Sequence, residues 1–289
     1  MKASRSLASS VPWARVLAGG ALAAWMAMPA PAAAQPRAVE LVPHRAVYDL
    51  KLSRSRGNRP VEAVRGRILY DFSGSRCEGY ALQFRQVSEI DLGEGKTLTT
   101  DLRAATWEEG AAKAFRFNSQ NFINQNLADS VDGNAERKDV GVAVALRKPD
   151  AKTFDLDPAV IFPTDHMRRI IEAAQAGKTI LEVPVYDGSE TGEKIYDTLS
   201  VIGQPIAPDK KPDDAAGRSD ALGKLTRWPV SISYFDRNKK TGGEQMPVYS
   251  IRFEIYENGI SRNLSLDYND FVIAGEMTTI DVGDAKPCK

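Results

Sequence analysis

Residues 162–177 are the one stretch of this chain with convincing helical periodicity, and that limits the possible folds more than any other feature. The stretch reads Phe-Pro-Thr-Asp-His-Met-Arg-Arg-Ile-Ile-Glu-Ala-Ala-Gln-Ala-Gly. Met167, Ile170, Ile171 and Ala174 recur at helical spacing. Thr164 or Asp165 can accept a hydrogen bond from the free N–H groups of the first turn, and Gly177 can take the left-handed conformation that ends a helix. An apolar stripe of this kind must lie against other apolar surface. Almost everything else in the chain alternates apolar and polar residues with the period of a β-strand. The expectation is a mainly β protein of more than ten antiparallel strands, with one principal helix at about 164–176 packed on, or inside, a large curved sheet.

The first residues belong to a different pattern. Lys2, Arg5 and Arg15 precede an apolar run from Val16 to Met28, then Pro29 and the small residues Ala32, Ala33 and Ala34. This is the pattern of a secretory signal peptide, residues 1–34, cleaved after about Ala34. The run falls short of the ~20 residues that span a bilayer, so the mature chain is expected to be exported, soluble and not membrane-spanning. Cleavage removes three of the 38 basic residues and none of the 38 acidic ones, which leaves the mature chain near neutral. Nucleic-acid binding, which needs a basic surface, is therefore not expected. Both cysteines, Cys77 and Cys288, survive processing. An even pair in an exported chain reads as a structural disulfide, here closing almost the whole domain.

Residues 35–43 read as a flexible lead-in, and 44–289 as a single β-rich domain. Strands are expected from Ala46 to Leu52, Val61 to Phe72, Tyr80 to Ile90 and Thr97 to Trp107, with turns at Gly57-Asn58-Arg59-Pro60 and Gly93-Glu94-Gly95-Lys96. Residues 118–126, rich in Asn and Gln, fit either strand or loop. Asp132-Gly133 reads as a turn and Val140, Val142 and Val144 as a strand. After the helix, Thr179 to Tyr186 and Lys194 to Ile202 read as a strand pair. Pro205 to Gly223, with three prolines and few large apolar side chains, reads as an exposed mobile loop. Asn258-Gly259 is a hairpin signal. Pairing Glu257 with Ile260 sets Phe253 opposite Leu264, Ile251 opposite Leu266 and Tyr249 opposite Tyr268, and places Ile255 with Arg262 and Glu254 with Asn263.

Catalytic and cofactor signatures are scarce. Gly95-Lys96-Thr97 and Gly177-Lys178-Thr179 resemble the end of a phosphate-binding loop, but Ile90 and Glu172 stand where that motif needs its first glycine. Asp155-Leu156-Asp157-Pro158 lacks the further oxygen ligands and glycine of a calcium loop. The mature chain has two histidines, His44 and His166, in no metal-binding cluster, and no Gly-x-Ser-x-Gly elbow. No cofactor, metal or catalytic residue is expected, and His166 is the best single candidate for a chemical role.

Three segments carry a family resemblance: Phe-Pro-Thr-Asp-His at 162–166, Tyr-Asp-Gly-Ser at 186–189, and Tyr-Glu-Asn-Gly-Ile-Ser-Arg-Asn-Leu-Ser-Leu-Asp-Tyr-Asn-Asp-Phe at 256–271. Together with the early Cys77 and late Cys288, they resemble the EipB envelope-integrity family of Gram-negative periplasmic proteins. The resemblance implies a β-spiral or half-open barrel with the helix on its concave face, a Cys77–Cys288 disulfide, periplasmic location and a non-enzymatic role in envelope integrity. It implies no catalytic residue and identifies no envelope protein, peptidoglycan or lipid partner.

Three readings of function compete. The first is a periplasmic structural or interaction protein. The second is a carrier of lipid or lipoprotein acyl chains, in a groove between sheet and helix lined by Met167, Ile170, Ile171 and His166. The third is a hydrolase with a dispersed site near His166.

Overall fold

A computed structural model of the chain describes residues 39–56, 61–239, 245–284 and 288. The signal peptide expected over 1–34, the first residues of the lead-in and the turn at 57–60 lie outside the described residues. The elements run β1 (His44–Ser55), β2 (Ala63–Ser75), β3 (Gly79–Asp91), β4 (Thr97–Glu108), β5 (Ala114–Ile123), β6 (Asn126–Lys138), β7 (Gly141–Lys148) and β8 (Lys152–Leu156). They continue as α1 (Pro163–Gln175), β9 (Ile180–Val185), β10 (Tyr196–Ile202), β11 (Arg227–Asp236), β12 (Tyr249–Tyr256), β13 (Ser261–Asp267) and β14 (Phe271–Val282).

All these strands form one 14-stranded sheet in the order β8-β7-β6-β5-β4-β3-β2-β1-β14-β13-β12-β11-β10-β9. The first and last strands therefore pair at its centre, with His44 opposite Val282 and Ser55 opposite Phe271. From there each half of the chain meanders outward. The sheet's two edges, β8 and β9, are joined in sequence by the segment that contains α1. The sheet is not closed, although Ile161, just before α1, makes a parallel bridge to Val185 on β9.

Alternation decides which side of the sheet is inside. On β1, His44, Ala46, Tyr48 and Leu50 are buried, while Arg45, Asp49 and Lys51 are exposed. The outward side chains pair across strands, Arg45 with Asp71 at 2.5 Å and Arg67 with Asp49 at 2.9 Å. Exposed pairs of this kind contribute little stability, and the inner face supplies the driving force. Ile170 and Ile171 of α1 have no exposed surface and share a core cluster with Phe72, Tyr80, Trp228 and Ile255. Burying each isoleucine stabilises the fold by roughly 1.5–3 kcal/mol. Gly177 ends the helix at φ 70°, and the Lys178 N–H donates to the Ala173 carbonyl at 2.9 Å.

Several local expectations are corrected. Asp132-Gly133 is not a turn but lies inside β6, which reaches Lys138. A Cβ on Gly133 would approach the Phe117 ring to 2.7 Å, so the glycine admits a neighbouring side chain. The true turn is Asn124-Gln125, both at positive φ, which lets β5 run through the Asn-rich segment to Ile123. Val39 and Leu41, within the lead-in expected to be flexible, are buried in the helix cluster. The segment 205–223 is exposed at most positions, as expected, but Asp214, Ala216 and Leu222 are buried and anchor it.

The C-terminal hairpin holds two compensating irregularities. Its connection has three residues, since the Tyr256 N–H donates to the Ile260 carbonyl at 2.8 Å and Gly259 adopts φ 91°. A bulge at Asn263, φ 53°, then absorbs the offset. Beyond the bulge Ile251 faces Leu266 as expected, but near the turn Glu254 faces Arg262 in place of Asn263, and Ile255 faces Ser261 in place of Arg262.

Candidate functional site

Parity places an unusual set of side chains on the inner face of β3, β4 and β5. Here, in line with the buried Ile90 and Phe117, stand the small or polar residues Gln86, Ser88, Thr100, Ala104, Thr106, Ser119 and Asn121. Small side chains leave room, and the result is a cleft of about 520 Å³, within the usual range of ligand sites. Its apolar walls are Ile90, Leu102, Ala104, Phe117, Phe271 and Ile273. Leu102, although it points to the inner face, remains 36% exposed.

The Tyr-Asp-Gly-Ser motif forms one wall. Tyr186 is wholly buried, donates its hydroxyl hydrogen to the Gly192 carbonyl at 2.6 Å and meets Phe117 edge-on. Gly188 takes φ 66° and lies so close to the Phe117 ring that a Cβ would come within 2.4 Å. This seating brings Asp187, Ser189 and Glu190 to the cleft. Burial pushes the Asp187 carboxyl up, against the lowering effect of hydrogen bonds from Ser189. Glu190 pairs with Lys194 and accepts a hydrogen bond from the Tyr196 hydroxyl at 2.6 Å. From Tyr196 an aromatic ladder crosses the sheet through Tyr234, Tyr249 and Tyr268 to Phe271, with centroid spacings between 5.1 and 6.0 Å.

Two smaller cavities continue along the inner face. One, of about 180 Å³, shares Gln86 with the cleft and is lined by Tyr48, Ile68, Phe84, Met167 and Leu266 among others. The next, about 110 Å³, shares His44, Tyr70 and Met167 with it and reaches Pro163 and Thr164 at the start of α1. His44 is buried, donates from Nδ1 to the Val42 carbonyl at 2.9 Å and stacks on Tyr70 at 5.4 Å. Burial lowers its pKa and so favours the neutral ring, although the hydrogen bond to Val42 opposes this.

The four groove candidates separate. Met167 lines both smaller cavities. Ile170 and Ile171 face closed packing. His166 is 4% exposed between α1 and β10, its Nε2 at 3.4 Å from both Thr198 Oγ1 and Ser200 Oγ. Burial pushes its pKa down to about 4, so the imidazole is neutral at ordinary pH.

The helix that carries Met167 is anchored from β4. Neither Thr164 nor Asp165 caps α1; Phe162 is the N-cap residue, Pro163 opens the helix, and no side chain of the helix start serves as a cap. Glu108 does so from the end of β4, accepting the Thr164 N–H at 2.7 Å and the Asp165 N–H at 2.8 Å. Asp165, also buried, is held by Arg168 and by Arg169 at 2.9 Å. Burial pushes the Glu108 pKa up to about 7 from 4.5, although the backbone hydrogen bonds oppose it. The stabilisation that comes with the bound proton is fully present below pH 4.5 and is lost as pH rises through about 7. Between about pH 5 and 8 the wild-type protein is expected to lose on the order of 2 kcal/mol more stability than a Glu108→Gln variant. Urea titrations of both proteins across that range check this, and parallel pH profiles would exclude it.

Among the described residues no group of three or more His, Cys, Asp or Glu could hold a metal, and no helix is long and apolar enough to cross a membrane.

Comparison with known proteins agrees with this architecture. The "Cell envelope integrity protein EipB" of Brucella abortus (strain 2308) is 38% identical over 256 residues, covering 88% of each chain. A crystal structure of a beta-barrel-like protein of a domain of unknown function, also from Brucella abortus, superposes with a TM-score of 0.78 at 38% identity, covering 86% of this chain and all of that one. The sequence model of the EipB-like family matches residues 35–284, which takes in every strand, the helix and the cleft, and this chain therefore belongs to the EipB-like family.

Proposed function

We propose that this protein supports the cell envelope from the periplasm, by binding and not by catalysis, with its spiral closed by the Cys77–Cys288 disulfide. The relative's name supports the process, and the signal-peptide pattern of residues 1–34 supports the compartment. One observation carries the binding half. The inner face offers an apolar-walled cleft, while His166, the residue best suited to chemistry, is packed away from it. A second reading, a carrier of acyl chains, is favoured by the line of cavities that leads from the exposed Leu102 to Met167.

Complementation tests the main reading. In a strain lacking the gene, wild-type protein and His166→Gln are expected to restore resistance to a membrane-active detergent. Ala104→Trp, which fills the cleft, is expected not to. A folded His166→Gln protein that fails to complement would overturn the non-catalytic reading, and a folded Ala104→Trp protein that complements fully would remove the cleft from the function.

A further inference from the structure

The linings of the cleft and the two cavities beyond it contain three carboxylates, Asp129, Asp187 and Glu190, and no lysine or arginine. The one histidine, His44, has a lowered pKa. All three carboxylates lie in the large cleft, and the smaller cavities are walled by side chains such as Ile68, Phe84, Met167 and Leu264. The site is therefore polar and acidic at one end and apolar at the other.

The acids differ in how far they are already satisfied. Glu190 is neutralised by Lys194. Asp129, at the exposed mouth of the cleft, accepts one hydrogen bond, from Asn121 Nδ2 at 3.3 Å. Asp187 accepts the Ser189 N–H at 2.9 Å, and the charge that acts on it is another carboxylate, Glu190, which raises its pKa further. An independent sign of an unfilled site lies on the cleft wall. Ser88 is 1% exposed, lines the cleft, and its hydroxyl has no hydrogen-bond partner. Buried hydroxyls are ordinarily paired, so an orphan here marks a position where an incoming polar group completes a bond.

From this polarity, and resting on the acyl-carrier reading, we propose that the cleft takes an amphiphile whose polar end donates hydrogen bonds and is cationic or uncharged, with its tail directed toward Met167. An amine or hydroxyl head at this end of the cleft donates to Asp129 or to Asp187. A carboxylate or phosphate head meets like charge, and the lining holds no lysine or arginine to offset it. The tail crosses past Gln86 into the cavity beside Tyr48 and Phe84. The selectivity thus lies in the head and the capacity in the tail.

Three probes of equal chain length separate these contributions: dodecylamine, dodecyl maltoside and dodecanoate, each titrated below micelle formation into the mature, oxidised protein by calorimetry near neutral pH. The expected result is saturable binding of the amine and the maltoside, each at least about tenfold tighter than dodecanoate. In the isosteric Asp129→Asn/Asp187→Asn variant the preference of the amine over dodecanoate is expected to shrink to within about twofold. Ala104→Trp is expected to weaken all three. Equal or tighter binding of dodecanoate by the wild type, or a preference unchanged in the Asn variant, would overturn the head-group inference and leave the carrier reading standing. Absence of saturable binding by every probe would overturn both.

Discussion

Replacement of Asp214 by alanine is expected to lower the unfolding free energy by about 3–5 kcal/mol, the range found when one partner of a buried ion pair is removed. Asp214 belongs to a four-member network that joins the segment between β10 and β11, the start of β11 and the hairpin β12–β13. Its carboxylate binds the Arg262 guanidinium; Arg262 Nη1 also reaches Glu254 Oε2 at 2.5 Å, and the same oxygen accepts from Arg227 Nε at 2.6 Å. The side chains of Arg227 and Arg262 are each 6% exposed. Two arginines and two acids balance, but without Asp214 a single carboxylate, Glu254, faces two buried guanidinium groups. The variant also loses the Gly217 N–H bond to Asp214 Oδ1, 2.5 Å, which starts the short 3-10 turn at Ala216–Arg218.

The cost comes from the stranded charge more than from the lost attraction, and a second variant shows which. In Asp214→Leu/Arg262→Met, Arg227 and Glu254 remain as a balanced pair, so most of the lost stability should return. Urea unfolding followed by tryptophan fluorescence measures both. A loss below about 1 kcal/mol for Asp214→Ala would mean that the segment is not held by this network.

The same network shows why part of the fold was legible in the sequence and part was not. Strand alternation and the helix at 164–176 are local properties, and the register Ile251 to Leu266 follows from a single hairpin signal. What escaped is set by contacts between distant residues. Pro205 to Gly223 has the composition of a solvated loop, yet a buried anchor needs only one aspartate, and Arg262, 48 residues further on, supplies the partner. The α1 cap failed to show for the same reason: Glu108, 56 residues before Thr164, takes the role that Thr164 or Asp165 could have filled. Gly133 and Gly188 both make room for Phe117, and only Gly188 also takes a positive φ.

The cleft occupies a middle position. The groove expected from the sequence shares no residue with it, although the Tyr-Asp-Gly-Ser motif at 186–189 contributes Asp187, Gly188 and Ser189. A legible signal was present in β3 and β4. Gln86, Ser88, Thr100 and Thr106 fall on the parity that Phe84 and Ile90 mark as inner, a run of small polar residues where a filled core would need bulk. Such a run indicates space but not which other strands enclose it.

Loss of the disulfide is expected to have the other large effect, lowering the unfolding free energy by up to about 5 kcal/mol in the oxidised-to-reduced comparison. Cys77, in the turn between β2 and β3, is bonded to Cys288, beyond the end of β14, with Cα atoms 5.6 Å apart and a sequence separation of 211. The bond spans the centre of the sheet, where β1 separates β2 from β14. Pairing β1 with β14 requires the first and last strands of the domain to meet, which is the most distant strand pairing in this fold and the one with the largest loop-closure cost. A cross-link at this place removes most of that cost from the unfolded chain and adds few contacts to the folded one. The Cys77→Ser/Cys288→Ser variant is therefore expected to keep the wild-type circular dichroism and cleft binding while its urea midpoint falls. It should match wild-type protein treated with reductant. An unfolding free energy within about 1 kcal/mol of the oxidised wild type would show that β1 and β14 find each other without the tether. A collapsed spectrum would show instead that the central pairing cannot form unless the bond is already in place.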